Sequence, residues 1–94
     1  MKSTELPKAI LKDLMQIPGV GKSIAGDLIN IGITSVEDLK DRDPQKLYDK
    51  SNKRAGVIQD RCLLYVFRCA VYYASNEKHT AEKLKWWNWK NSDK

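Results

Sequence analysis

Apolar positions along the chain recur at helical intervals, and nowhere do they alternate with the two-residue period of a half-buried strand. In LPKAILKDLMQI, the residues Ile10, Leu11, Leu14, Met15 and Ile17 fall on one helical face. Pro7 suits the first turn of that helix and Pro18 closes it. In SIAGDLINIG, Ile24, Leu28 and Ile31 share a face flanked by Ala25 and Ile29, and Gly32 is placed to end the helix in a left-handed turn. TSVEDL restarts a helix, with Thr34 and Glu37, or Ser35 and Asp38, as a cap followed by an acid. Asp43 caps the next helix and Pro44 is its first residue. After a turn around SNKRAG, Asp60 caps the longest segment, RCLLYVFRCAVYYAS. Only Arg61 and Arg68 are charged there, so it reads as the buried centre of a small bundle. The tail, TAEKLKWWNWKNSDK, reads as a short helix from Thr80 that frays over about 90–94. The pattern predicts an all-α, single-domain bundle of five or six short helices spanning residues 1–94, because the connections are too short to hold a linker.

Composition agrees with one small globular unit: 94 residues, 41% hydrophobic and 31% charged. No apolar run approaches the ~18 residues that mark a membrane span. The N-terminus MKSTELPKAILKD is too polar for a signal peptide, so the expectation is cytoplasmic. Cys62 and Cys69 lie on one predicted helix, about 10 Å apart by its rise per residue, too far for a mutual disulfide. Both are expected to be buried and reduced. His79 is a poor third ligand for any metal. The net charge of +5 is uneven: residues 1–47 carry seven basic and seven acidic side chains, residues 48–94 ten and five. A basic excess is compatible with nucleic acid without requiring it.

The stretch IPGVGKS, Ile17 to Ser23, carries the candidate chemistry. Its GKS ending matches a nucleotide-binding P-loop, but the opening glycine of that pattern would fall at Gln16, and no strand precedes it. The other reading is a tight hairpin between two helices. Its glycines let the backbone reverse. The helix beginning near Lys22 or Ser23 leaves its first N–H groups unpaired at the positive end of its dipole, which attracts a phosphate oxygen. Such a site reads no base edge. The same hairpin serves equally as a packing device, with Val20, Ala25 and Leu28 locking two helices together.

IPGVGKSIAGDLINIGI resembles the helix-hairpin-helix motif of DNA repair and recombination proteins, through Ile17, Pro18-Gly19-Val20-Gly21, Ala25 and Leu28. With GITSVEDLKDRDPQKLY, CLLYVFRCAVYYA and WWNWK added, most of the chain is similar to the small bacterial "pathogenicity locus" proteins, a family also labelled mitomycin-resistance proteins. The first half also looks related to the C-terminal domain of the competence regulator TfoX. The resemblance implies non-sequence-specific binding of the DNA backbone, as a repair or recombination accessory. Phosphate-binding residues would be Gly19, Val20, Gly21, Lys22 and Ser23, with the N–H groups of Gly19, Gly21 and Ser23 as donors and Lys22 assisting. It also implies a monovalent cation held by the backbone of Met15, Ile17 and Val20, and no other cofactor.

Further candidates lie in the second half. Setting PGVGKSIAGDLI over AGVIQDRCLLYV pairs Gly19 with Gly56, Val20 with Val57, Ala25 with Cys62 and Leu28 with Tyr65, as a degenerate duplication would. Lys50, Lys53, Arg54 and Arg61 would then flank a second backbone site. Arg68 pairs with a buried acid or reaches a phosphate. Trp86, Trp87 and Trp89, interleaved with Lys83, Lys85 and Lys90, either seal the core or stack bases. No catalytic set is visible, so an enzyme is not expected; the dipole at the helix start would activate Cys62 only if it left the apolar face. The leading expectation is a DNA-backbone binder. The alternative is a protein-interaction module with a purely structural hairpin.

Overall fold

A computed structural model describes residues 8–90. Four α-helices run in the order α1 (Lys8–Met15), α2 (Lys22–Asn30), α3 (Pro44–Ala55) and α4 (Arg61–Ser75), with no strand among the described residues. Three single 3₁₀ turns, Glu37–Leu39, Glu82–Leu84 and Trp86–Trp89, stand where further helices were expected, so the α-helices number four rather than five or six. Each turn is too short to repay the cost of nucleating an α-helix. Around Glu37–Leu39, local side chains also compete for the backbone. The Asp38 carboxylate accepts the Thr34 N–H and hydroxyl, at 3.0 and 2.9 Å, and Ser35 Oγ accepts the Asp38 N–H at 3.2 Å. The expectations for Pro7 and for residues 91–94 lie outside the described residues.

The helix ends follow local chemistry. The Asp43 carboxylate accepts the Gln45 N–H at 2.9 Å, with Pro44 opening α3. The Asp60 carboxylate accepts the Cys62 N–H at 2.8 Å at the head of α4. Gly32, at φ +98°, ends α2: its N–H donates to the Ile29 carbonyl and that of Ile33 to the Leu28 carbonyl, which satisfies two carbonyls of the last turn.

α4 is the centre of the core, burying Leu63, Leu64, Val66, Phe67, Cys69 and Ala70. α3 packs along it through Leu47 and Tyr48, and Leu39 arrives from the 3₁₀ turn. α1 and α2 pair through Leu11, Leu14, Ala25 and Leu28, which belong to the same continuous cluster. A side chain buried as fully as Phe67 or Leu14 contributes about 1.5–3 kcal/mol. Asp13 ties α1 to the rest, its carboxylate accepting the Val36 N–H at 2.8 Å and the Gln16 amide at 3.0 Å.

Three expectations for α4 need correction. Arg68 finds no buried acid: its guanidinium donates to the Trp89 carbonyl at 2.7 Å and lies over the Tyr65 ring at 5.7 Å. Cys62 is exposed although Leu63 and Leu64 beside it are buried, so it lies on the outward face of the first turn of α4. The tail does not extend as a helix; it doubles back along α4 in two 3₁₀ turns.

Candidate nucleic-acid interface

The turn between α1 and α2 is built by its apolar residues. Ile17 and Val20 point into the core, 1% and 5% exposed, and the Val20 N–H closes the turn on the Ile17 carbonyl at 3.0 Å. Val20 is therefore a buried anchor whose amide is already used within the turn. Gly19 sits at φ +88°, where side chains are strained. A Cβ there would also lie 2.8 Å from Trp86 Cδ1, so the Trp86 indole packs directly on the turn.

Gly21 is the N-cap of α2, extended at φ −94° and ψ −171°, with no side-chain hydrogen bond. The first helical bond of α2 is the Ala25 N–H to the Gly21 carbonyl, at 2.9 Å. The N–H groups of Gly19, Gly21, Lys22 and Ser23 donate to no group among the described residues, and all four residues are exposed. α3 and α4 differ: each has an aspartate carboxylate on its first turn, Asp43 and Asp60. α2 presents the same positive end with nothing bound to it.

Charge around this end is basic. Lys8, Lys12 and Lys22 line one shallow groove with Leu11, Met15 and Gln16. Lys8 and Lys12 were legible only as one face of α1, four residues apart; their approach to Lys22 depends on how α1 folds against α2. Two acids of the same half of the chain are already engaged in hydrogen bonds. Asp13 is held by Val36 and Gln16, and Asp38 by Thr34. The Thr34 amide and hydroxyl hold the Asp38 carboxyl below the usual carboxylate range. Asp27 lies at the far side of α2, in a groove with Arg54 and Gln59, where burial pushes its carboxyl above the usual range.

Of the second basic group, Lys50, Lys53 and Arg54 line one groove with Asn30 and Ile31. Arg61 does not line it; its Nε–H reaches the Tyr65 hydroxyl at 3.5 Å. The proposed echo fails residue by residue. Val20 is buried whereas Val57 is 62% exposed, and Ala25 is buried whereas Cys62 is exposed. α2 begins three residues after Gly19, but α4 begins five after Gly56, at the end of the loop Gly56-Val57-Ile58-Gln59-Asp60. That loop is pinned by Gln59, whose N–H and side-chain amide donate to Asn52 and Ser51.

In the tail, Trp86 packs on the core and Trp89 on Tyr72, its indole N–H donating to the Lys83 carbonyl at 2.8 Å. Trp87 remains 52% exposed. Phe67 is fully buried, while Tyr65, Tyr72 and Tyr73 are half-buried. His79 stacks on Tyr73 at 4.6 Å, and its Nε2 lies 2.8 Å from the Tyr73 carbonyl, a structural placement. Neither thiol is activated. The hydrogen bond with Asp60 raises the Cys62 pKa, and burial pushes Cys69 up to about 11.

These features define a small all-helical protein with an uncapped, lysine-flanked helix start on its surface. The chain belongs to the Cdd1 pathogenicity locus family, whose model it matches over residues 7–94. It is 35% identical over 77 residues to the mitomycin resistance protein McrB of Streptomyces lavendulae, covering 82% of this chain and 70% of that relative. No solved structure matches the chain. No helix among the described residues is long and apolar enough to cross a membrane.

Proposed function

We propose that α1, the Ile17–Gly21 turn and α2 form a helix-hairpin-helix motif that binds the DNA backbone without sequence preference, and that the chain is a repair or recombination accessory in the cytoplasm related to the TfoX C-terminal domain. One observation carries this reading: the start of α2 exposes unpaired amides, where α3 and α4 fill the same position with their own carboxylates. A phosphate oxygen would take the amides of Gly21, Lys22 and Ser23, with that of Gly19 alongside. Lys22 closes over it, and Lys8 and Lys12 neutralise the flanking phosphates. Lys50, Lys53 and Arg54 supply a second basic strip beyond the other end of α2.

A monovalent cation fits the same turn. The Met15 and Val20 carbonyls accept no hydrogen bond among the described residues, and the Ile17 carbonyl, though it accepts from Val20, keeps a second lone pair. Those three oxygens would hold the ion, whose positive charge would favour an anion at the same turn.

Fluorescence anisotropy of a labelled duplex, titrated across salt concentration, tests the reading with Gly21→Glu and Lys22→Glu beside the native chain. Native binding at low salt that weakens steeply with salt, and variants that bind much less, are the expected results. A native chain that binds no DNA at low salt sinks the proposal. Variants that bind as well as native place any DNA contact elsewhere. A protein-interaction module is the second reading, favoured by Val57 and Ile58, 62% and 82% exposed on the pinned α3–α4 loop.

A further inference from the structure

We infer that the exposed Trp87 indole is a stacking platform for an unpaired base next to the phosphate held at the start of α2, so that the protein prefers DNA with a single-stranded gap over intact duplex. The inference rests on the phosphate reading and adds the substrate form. Three observations support it. First, Trp86 touches the turn at Gly19, and Trp87 lies against Trp86, with the two indole centroids 5.7 Å apart and nearly perpendicular. An aromatic face distant in sequence is thereby fixed beside the proposed phosphate contact.

Second, the turn that carries Trp87 is rigid. The Asn88 side chain donates to the Glu82 carbonyl at 2.9 Å, and its own N–H to the Lys85 carbonyl at 2.9 Å. Trp89 is pinned at both ends, its indole N–H on the Lys83 carbonyl and its carbonyl on Arg68. With its neighbours held this way, Trp87 still stands half in water, and its indole N–H donates to no group among the described residues. Trp86 packs against the core and Trp89 against Tyr72, whereas Trp87 is exposed. Third, the surrounding charge suits a polyanion. Residues 82–90 carry Lys83, Lys85 and Lys90 against the single carboxylate of Glu82.

In intact duplex the bases are stacked on each other and present no free π-face. A gap releases one, and stacking on an aromatic side chain tolerates any base. The test measures anisotropy with a blunt duplex and with the same duplex carrying a short gap. Native chain, Trp87→Ala, Trp87→Phe and Lys22→Glu are compared at low salt, with circular dichroism to confirm folding. The native chain is expected to bind the gapped form about tenfold more tightly, the size of one base–aromatic stack. Trp87→Ala should abolish that ratio without weakening blunt-duplex binding. Trp87→Phe should keep most of it. Lys22→Glu should weaken both forms and leave the ratio intact. Equal native affinity for both forms overturns the platform and leaves the phosphate reading standing, as does a Trp87→Ala chain that retains the preference. Binding of neither form overturns both.

Discussion

Replacing Gly21 by aspartate should make this protein more stable and worse at holding DNA, and the opposite signs make the substitution diagnostic. Gly21 has an ordinary extended backbone, and a Cβ built there meets nothing within 4 Å, so a side chain enters without strain. The introduced carboxylate would cap α2 as Asp60 caps α4, where the Cys62 amide holds the Asp60 carboxyl below its usual range. Aspartate improves on glycine at an N-cap by a few tenths of a kcal/mol, and its charge on the helix dipole adds to this, for roughly 0.5–1 kcal/mol together. In a domain of this size the melting temperature should rise by about 3–6 °C.

The same carboxylate occupies the amides that the phosphate would use. It also repels the phosphate: two like charges ~5 Å apart interact by about 1–3 kcal/mol at effective dielectric constants between 80 and 20. That corresponds to an affinity loss of roughly five- to 150-fold. Calorimetry gives the stability and anisotropy on a labelled duplex gives the affinity, both at low salt. Gly21→Asn separates the two effects, since it caps without charge and should weaken binding less. A fall in melting temperature would contradict the cap geometry. A stabilised variant that binds DNA like the native chain would refute the assignment of the phosphate to these amides.

Other perturbations have equally definite outcomes. Gly19→Ala meets both the left-handed backbone and the Trp86 indole, and should cost about 2 kcal/mol, read as a melting-temperature drop of about 10 °C. Asp38 and Asp60 have lowered carboxyl pKa values from the Thr34 and Cys62 amides, so their stabilisation is complete above about pH 4 and is lost as the pH falls through the lowered values. Asp38→Asn should therefore flatten the acid limb of stability below that pH, measured by circular dichroism. Near neutral pH, iodoacetamide followed by mass spectrometry should label Cys62 slowly and Cys69 only on unfolding, with Asp60→Asn accelerating the first. Lys12→Gln should reduce the slope of log affinity against log salt by about 1, through the loss of one phosphate contact.

What the sequence revealed was what local chemistry decides. Asp43, Asp60 and Gly32 cap or end helices by bonds to groups a few residues away, so their roles were readable from spacing. The four α-helices were readable for the same reason: α1 and α2 through their apolar period, α3 through its Asp43–Pro44 start, and α4 through its long apolar run. What failed depended on contacts distant in the chain. Arg68 looked like a charge in search of an acid because sequence cannot show that the Trp89 carbonyl comes within 2.7 Å. Cys62 looked buried because α4 is apolar on nearly all sides, yet which of its faces are covered is set by α3 and the tail. Lys8 and Lys12 drew no reading from the sequence, and Trp86 was one of three tryptophans that could seal the core or stack bases. Only the folded chain places the lysines in one groove with Lys22 and the indole on Gly19.

The chain also contains an internal comparison that bears on the proposed site. α3–α4 repeats the helix–turn–helix outline of α1–α2, and Gly56 takes a left-handed φ of +78° much as Gly19 does at +88°. The outcomes diverge because α4 starts five residues after its left-handed glycine, where α2 starts three after Gly19, and because the second connection ends in an acid. Val57 and Ile58 stand out in solvent, whereas Val20 is drawn into the core. Asp60 then satisfies the start of α4 from within. A carboxylate already seated on those amides excludes a phosphate by occupancy and by charge, so a backbone contact at the second turn has to rely on lysine and arginine side chains alone. The first turn has a short reversal, a buried valine and a glycine in the cap position. That combination leaves the amides of α2 both exposed and unclaimed. If an anion binds through backbone amides in this fold, the start of α2 offers them and the start of α4 does not.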